Sequence, residues 1–181
     1  MHRLLVILGS ATVLAFGGAA FADEAVQESL PSAVFVQKAA LNALTEVELG
    51  KLAGTNARAS GISALGFRLA RDHAKMNAVL ALISRDKGLE VPVELDDEHR
   101  AIVDRLGTMS GAEFDTAYAA LMAADHSRAI LLFSQAAECD DPVIAEFARR
   151  TLPSLREHKR LADVYVAITS NYRAESVANR D

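Results

Sequence analysis

The stretch "LEVPVELDDEHRAIVDRLGTMSG" (Leu89–Gly111) decides the fold. It predicts one short helix, about Asp96 to Leu106, inside a connection of roughly twenty residues. That is long for a loop between antiparallel neighbours, but it suits a crossover along the length of a helical bundle.

Two long helical patterns precede it. The first spans about Ser32 to Arg58, with Phe35, Ala39, Ala43, Glu46, Leu49 and Ala53 on one stripe. The second spans about Ser60 to Lys87, with Ile62, Leu65, Leu69, His73, Met76, Leu80 and Ile83 at helical spacing and Gly88 as its stop. Two more follow. "SGAE" (Ser110–Glu113) reads as a capping box opening a helix to about Glu138. In "CDDP" (Cys139–Pro142), Asp141 is the expected N-cap and Pro142 the first residue of a helix to about Ser170. Pro153 inside that helix is expected to kink it. No strand-like alternation or hairpin signal interrupts the pattern. Two hairpins joined by a crossover make an all-α, four-helix bundle.

The ends read differently. Met1-His2-Arg3, the apolar run Leu4 to Phe16 and Ala20-Phe21-Ala22 form a secretory signal peptide, cleaved after Ala22. Asp23, not Cys, follows the cut, so a lipoprotein is not expected and the periplasm is the expected location. Residues 23–31 read as a loose leader, 32–170 as the bundle and 171–181 as a disordered polar tail. The mature chain holds no apolar run long enough to span a membrane. The chain has 181 residues, with 19 Lys+Arg against 24 Asp+Glu. That acidic balance argues against a nucleic-acid partner. Cys139 is the single cysteine, so no intramolecular disulfide can form.

Acid–histidine pairs recur in three of the long helices: Asp72-His73, Asp125-His126 and Glu157-His158. The midpoints of the four helices fall near residues 45, 73, 125 and 156, and mid-helix groups are level whichever way a helix runs. Glu46, His73, His126 and His158 are therefore expected in one central layer. Adjacent helical residues diverge by ~100°, so the acid of each pair is expected to serve a neighbouring helix. One reading is a metal site of three imidazoles and one carboxylate. Asp72, Asp125 and Glu157 would then orient the rings, and the site would hold one zinc, copper or iron ion. Met76 and Met122 lie one turn from His73 and His126 and could add thioether ligands, which would admit copper. The other reading is a metal-free polar layer of bonded histidines, in an envelope structural or stress protein with an unidentified partner.

Carboxylate di-iron chemistry needs Glu-x-x-His on two helices. Ala70, Ala123 and Leu155 stand three residues before the histidines, so that motif is absent. No Ser-His-Asp spacing, phosphate loop or CxxC is present, and no catalytic residue is indicated. Asp115 suits a helix dipole. Tyr118, two turns from His126, reads as a core residue with a bonded hydroxyl near the layer. His99 lies in the crossover and is expected to be solvated. Arg149, Arg156 and Arg160 read as a solvated face.

Glu46 with Gly50-Lys51-Leu52-Ala53, Asp72-His73, Phe114-Asp115 with Tyr118, Asp125-His126, and Leu152-Pro153 with His158 carry a resemblance. Over about Ser32 to Tyr165 the chain resembles the exported bacterial proteins of domain-of-unknown-function family 4142, often labelled predicted outer membrane proteins. The resemblance implies a ferritin-like bundle and no settled activity. The sequence shows no barrel strands that would fit the outer-membrane label.

Overall fold

The computed structural model describes residues 30–178, with side chains through residue 171. The expected signal peptide, cleavage site and most of the leader lie outside the described residues. The elements are α1 (Ser32–Asn56), α2 (Ser60–Lys87), α3 (Asp97–Gly107), α4 (Gly111–Ala136) and α5 (Pro142–Ala178). No named strand occurs among the described residues. α1 packs along α2, and α4 along α5, while α1–α4 and α2–α5 contacts join the two hairpins. α3 lies in the crossover and packs mainly on α1.

The hairpins close through specific local chemistry. Gly88 takes the left-handed conformation (φ 67°) that an L side chain resists, and Leu89 N–H reaches back to Ser84 O at 2.8 Å. Asp141 accepts from Val143 N and Ile144 N, capping α5 as expected. It also binds Lys87 Nζ at 2.6 Å, tying the end of α2 to the start of α5. Asp96 caps α3 through His99 N.

Two helix ends differ from the sequence reading. Ser110 makes no side-chain cap, so the expected capping box does not form. Instead the start of α4 is held by Asp115, which accepts from Arg58 N (3.1 Å) and Ala59 N (2.9 Å) in the α1–α2 turn. Asn56 strengthens the same junction by donating to the Gly107 and Met109 carbonyls. α5 continues to Ala178, beyond the expected end near Ser170. Pro153 sits inside it, and its missing N–H leaves the Arg149 carbonyl without a helical donor.

α1 faces its partners with small residues, among them Ala39, Ala40, Ala43, Gly50 and Ala53. Two helices can therefore approach closely. A Cβ on Gly50 would lie 2.5 Å from Gly66 O, and one on Gly66 would lie 2.4 Å from the Ala53 Cβ.

The core is split. One apolar cluster gathers Phe35, Leu80, Phe133, Ile144, Phe147 and Leu155 with their neighbours. Its centre is a ring triple in which Phe35 meets Phe133 edge-on at 5.0 Å. The other gathers Leu49, Ile62, Leu69, Phe114, Tyr118, Met122 and Ala162. On each long helix one buried ionisable residue separates the two: Glu46 on α1, His73 on α2, His126 on α4 and His158 on α5.

Candidate metal centre

Each of these four residues sits on a helix face that is otherwise apolar, so packing of the two clusters forces the side chains inward between them. All are buried: Glu46 4%, His73 3%, His126 1% and His158 2% exposed. The three imidazoles form a near-equilateral triangle, with ring centroids 5.4, 5.6 and 5.3 Å apart. One ring nitrogen from each lies within 4.8 Å of one from both others.

Hydrogen bonds fix which nitrogens are bare. His126 Nδ1 lies 2.9 Å from the Met122 carbonyl, which can only accept, so Nδ1 carries the proton. In the neutral ring, Nε2 then holds a lone pair. It points at His73 Nε2, 3.4 Å away. His158 Nε2 lies 3.2 Å from the Asp72 carboxylate and 3.3 Å from Ser154 Oγ, so it carries the proton that Asp72 accepts. His158 Nδ1 is left buried and without a partner. His73 Nδ1 is buried and unpartnered as well.

Burial sets the charges. It lowers His73 well below its ordinary value, and the neighbouring His126 and His158 lower it further. It pulls His126 down to about 4, against the opposing bond to the Met122 carbonyl. His158 is lowered by burial, with Asp72 resisting. All three rings are neutral at pH 7 and keep their lone pairs. Burial raises Glu46 to about 8, so its carboxyl is protonated at neutral pH. For Asp72, burial is outweighed by hydrogen bonds from Arg71 and His158, and it stays ionised.

The donor set fits a cation. Imidazole nitrogens bound at ~2.05 Å to a tetrahedral ion lie about 3.4 Å apart, the same as the His73–His126 separation. Two of the rings also donate their outer N–H to an oxygen, the arrangement that orients metal-binding histidines. A cleft of about 170 Å³ lies between α2 and α5, beside His73 and His158. It is lined by Asp72, His73, Met76, Thr151, Ser154, Leu155 and His158.

Other residues expected at the layer are placed differently. Glu46 Oε1 lies 3.6 Å from His126 Nδ1, the proton-bearing side of the ring, so Glu46 stands outside the triangle. Asp125 does not reach a neighbouring imidazole: it pairs with Arg128 one turn along α4. Glu157 likewise turns outward to Arg160 at 2.8 Å. In both cases the 100° step from the inward histidine aims the acid at solvent, where an arginine three residues on captures it. Met122 contributes its carbonyl to the site, while its side chain belongs to the cluster around Tyr118. The Tyr118 hydroxyl is buried without a partner among the described residues, contrary to the bonded hydroxyl expected. His99 lies away from the layer, 2.6 Å from Asp96. Arg149 donates to the Ala137 carbonyl at the end of α4. Thr151 and Ser154 were not singled out in the sequence. Their spacing of seven and four residues before His158 is the signal that places them on its face.

The family described as Domain of unknown function (DUF4142) matches residues 18–164. The chain belongs to this family. No curated protein matches its sequence. Among solved structures, it is similar to a DUF305 protein from Streptomyces coelicolor, described as secreted, with 17% identity and a TM-score of 0.66. That match covers 77% of this chain and 94% of that one. It is also similar to a DUF305 fragment from Deinococcus radiodurans, with 16% identity and a TM-score of 0.67, over 77% of this chain and 97% of that one. At this identity the DUF305 structures speak for the helical fold alone. No helix among the described residues is long and apolar enough to cross a membrane.

Proposed function

We propose that this DUF4142 protein is an exported helical bundle that binds one first-row transition-metal ion through His73, His126 and His158. One observation carries the reading. His158 Nδ1 and His73 Nδ1 are buried without a partner, and His126 Nε2 faces only the His73 ring at 3.4 Å, with the three rings grouped in one triangle. Buried polar atoms without partners are rare and call for an explanation. A cation at the centre of the triangle supplies it. Neutral nitrogen donors suit zinc, copper or iron, and the Irving–Williams order puts copper first. Met76, in the cleft wall, adds a soft donor that favours copper. Asp72 orients His158, and Glu46 stands beside His126 as a neutral acid.

Export is part of this reading. It rests on the leader, with cleavage after Ala22 and a periplasmic destination, and on the similar S. coelicolor protein being described as secreted. The acidic chain is not a nucleic-acid binder.

The test is elemental analysis of the full chain recovered from the periplasm and again after reconstitution with zinc, copper or iron. One ion per chain is expected, lost in His126→Ala and in His158→Ala. A content below about one tenth of an ion per chain after reconstitution sinks the reading.

A further inference from the structure

The outward face of α2 departs from the charge of the rest of the chain. The chain carries 24 Asp+Glu against 19 Lys+Arg. From Ser60 to Arg85, however, α2 holds one acid, Asp72, and that side chain is turned toward His158 on α5. Phe67, Arg71 and Lys75 stand four residues apart and so share one face of the helix, which Leu82 continues. Phe67 is 61% and Leu82 53% exposed. Lys75 is exposed and has no ion pair or hydrogen bond among the described residues. Exposed apolar side chains with cations among them and no free acid make a contact surface for an apolar partner of opposite charge.

The complementary surface lies on the same molecule. Between α1 and the crossover runs a groove of about 330 Å³. Leu44, Val93 and Val103 give it apolar walls, and Val93 is 83% exposed. Glu48, Glu94 and Asp104 give it acids. Glu48 is engaged by Lys51 at 2.6 Å, whereas Glu94 and Asp104 have no partner among the described residues. Arg100 is the one cation in the lining, and its guanidinium donates to the Leu95 carbonyl at 2.8 Å. The groove is large enough to receive the Phe67 ring and has two unmatched carboxylates for a cation. Within one molecule Phe67 cannot fill it. That ring lies over Gly54, roughly 15 Å along α1 from Leu44.

We infer that the outward face of α2 docks into the α1–crossover groove of a second copy of this chain, with Phe67 against the apolar walls and Lys75 against Glu94 or Asp104. The contact joins two different surfaces, so it is head-to-tail and adds copies in line unless a ring closes. Its exposed charge pairs make it weaken with salt. It does not draw on the metal reading.

The full chain recovered from the periplasm is followed by sedimentation velocity over a range of protein and salt concentrations. Lys75→Glu spoils the face, and Glu94→Lys/Asp104→Lys spoils the groove. All three positions are exposed, and helical circular dichroism checks that each variant folds. The neutral Lys75→Gln and Glu94→Gln/Asp104→Gln replace any variant that does not. The parent is expected to associate reversibly, and less so at high salt. Each variant alone associates at least tenfold more weakly. Mixed one to one, the two variants form a complex that stops at two chains, because the groove variant keeps its α2 face and the face variant keeps its groove. A parent that stays monomeric at its highest soluble concentration overturns the inference. So do variants that associate as the parent does, and a mixture that forms no pair. A monomeric parent that sediments with phosphatidylglycerol vesicles, and loses them in Lys75→Glu, assigns the face to an anionic bilayer instead.

Discussion

The outer N–H of His158 on α5 donates to the Asp72 carboxylate on α2, across 3.2 Å and between the two hairpins. This bond decides which nitrogen of His158 is bare. Asp72→Asn removes the charge but keeps the shape. Such outer partners typically contribute 10–100-fold to metal affinity. The expected outcome is weaker binding by about that factor, measured by competition with a chromophoric chelator, with helical content unchanged. The proton-bearing nitrogen of His158, read from its ring 15N shifts in the metal-free protein, should also lose its single-tautomer signature. Unchanged affinity and shifts would remove Asp72 from the site.

The sequence placed this layer for a simple reason. A residue halfway along each of four helices must share a level in a bundle, and Glu46, His73, His126 and His158 all stand there. Facing was half legible. His73 and His158 continue apolar stripes, so their inward direction follows from periodicity. The partners of Asp125 and Glu157 did not follow, because an arginine three residues further on the same helix competes with a distant imidazole. Asp115 shows the other limit. The donors to its carboxylate, Arg58 N and Ala59 N, lie 57 and 56 residues away, and no local pattern encodes a turn's need for that carboxylate. The crossover was legible from its length, whereas the Ser110 capping box was a local signal that the Asp115 junction overrode.

The rival reading, a purely structural polar layer, predicts the opposite sign for one variant. In His73→Leu/His126→Leu both members of the 3.4 Å contact become apolar, and the unpartnered His73 Nδ1 disappears. A buried unsatisfied atom costs about 1–3 kcal/mol, whereas replacing both partners by apolar groups is nearly neutral or stabilising. Metal-free, this variant should melt at or above the temperature of the parent chain, and it should bind no ion. A fall in Tm of the metal-free protein would favour the structural layer.

Glu46 gives the metal-free protein a distinctive pH response. Its folded value of about 8 lies above its ordinary 4.5, so the folded state keeps a proton that the unfolded chain has released. Stability from this group is fully present below pH 4.5 and is lost as pH rises toward 8. The histidines act oppositely. Their folded values are lowered, His126 to about 4, so stability falls as pH drops below the ordinary 6.5. Between pH 6.5 and 8 the unfolded histidines are still releasing protons and oppose the Glu46 effect, so the effect is read as the difference between the parent and Glu46→Gln. By chemical denaturation near pH 7, the parent should lose stability relative to Glu46→Gln at a rate approaching about 1.4 kcal/mol per pH unit for one proton. Equal pH slopes in the two proteins would show that Glu46 does not hold the proton.

Asp115 anchors the α1–α2 turn through two backbone donors. Asp115→Ala strips two backbone donors, Arg58 N and Ala59 N, of their acceptor in a half-buried turn. The expected loss is about 1–3 kcal/mol for donors left unsatisfied. The site lies well along α4 from His126, so metal stoichiometry should not change. A variant that loses stability and metal together would show that the junction also sets the triangle.

Gly66→Ala tests the close approach of α1 and α2. Helix propensity alone favours the change, by about 1 kcal/mol for Gly to Ala in a helix interior. Packing opposes it. The new Cβ would lie 2.4 Å from the Ala53 Cβ and 3.1 Å from the Gly50 carbonyl. Neither atom is the end of a flexible side chain, so α1 itself must move. Overpacking of this kind costs about 1–3 kcal/mol, and with backbone as the obstacle the upper part of that range applies. The clash should therefore outweigh propensity, and urea denaturation should show a lower midpoint for Gly66→Ala than for the parent chain. Gly54→Ala is the matched control, since its Cβ would meet only the exposed Phe67 ring, which can swing aside. If both variants gain stability alike, the α1–α2 separation is not set by Gly50 and Gly66.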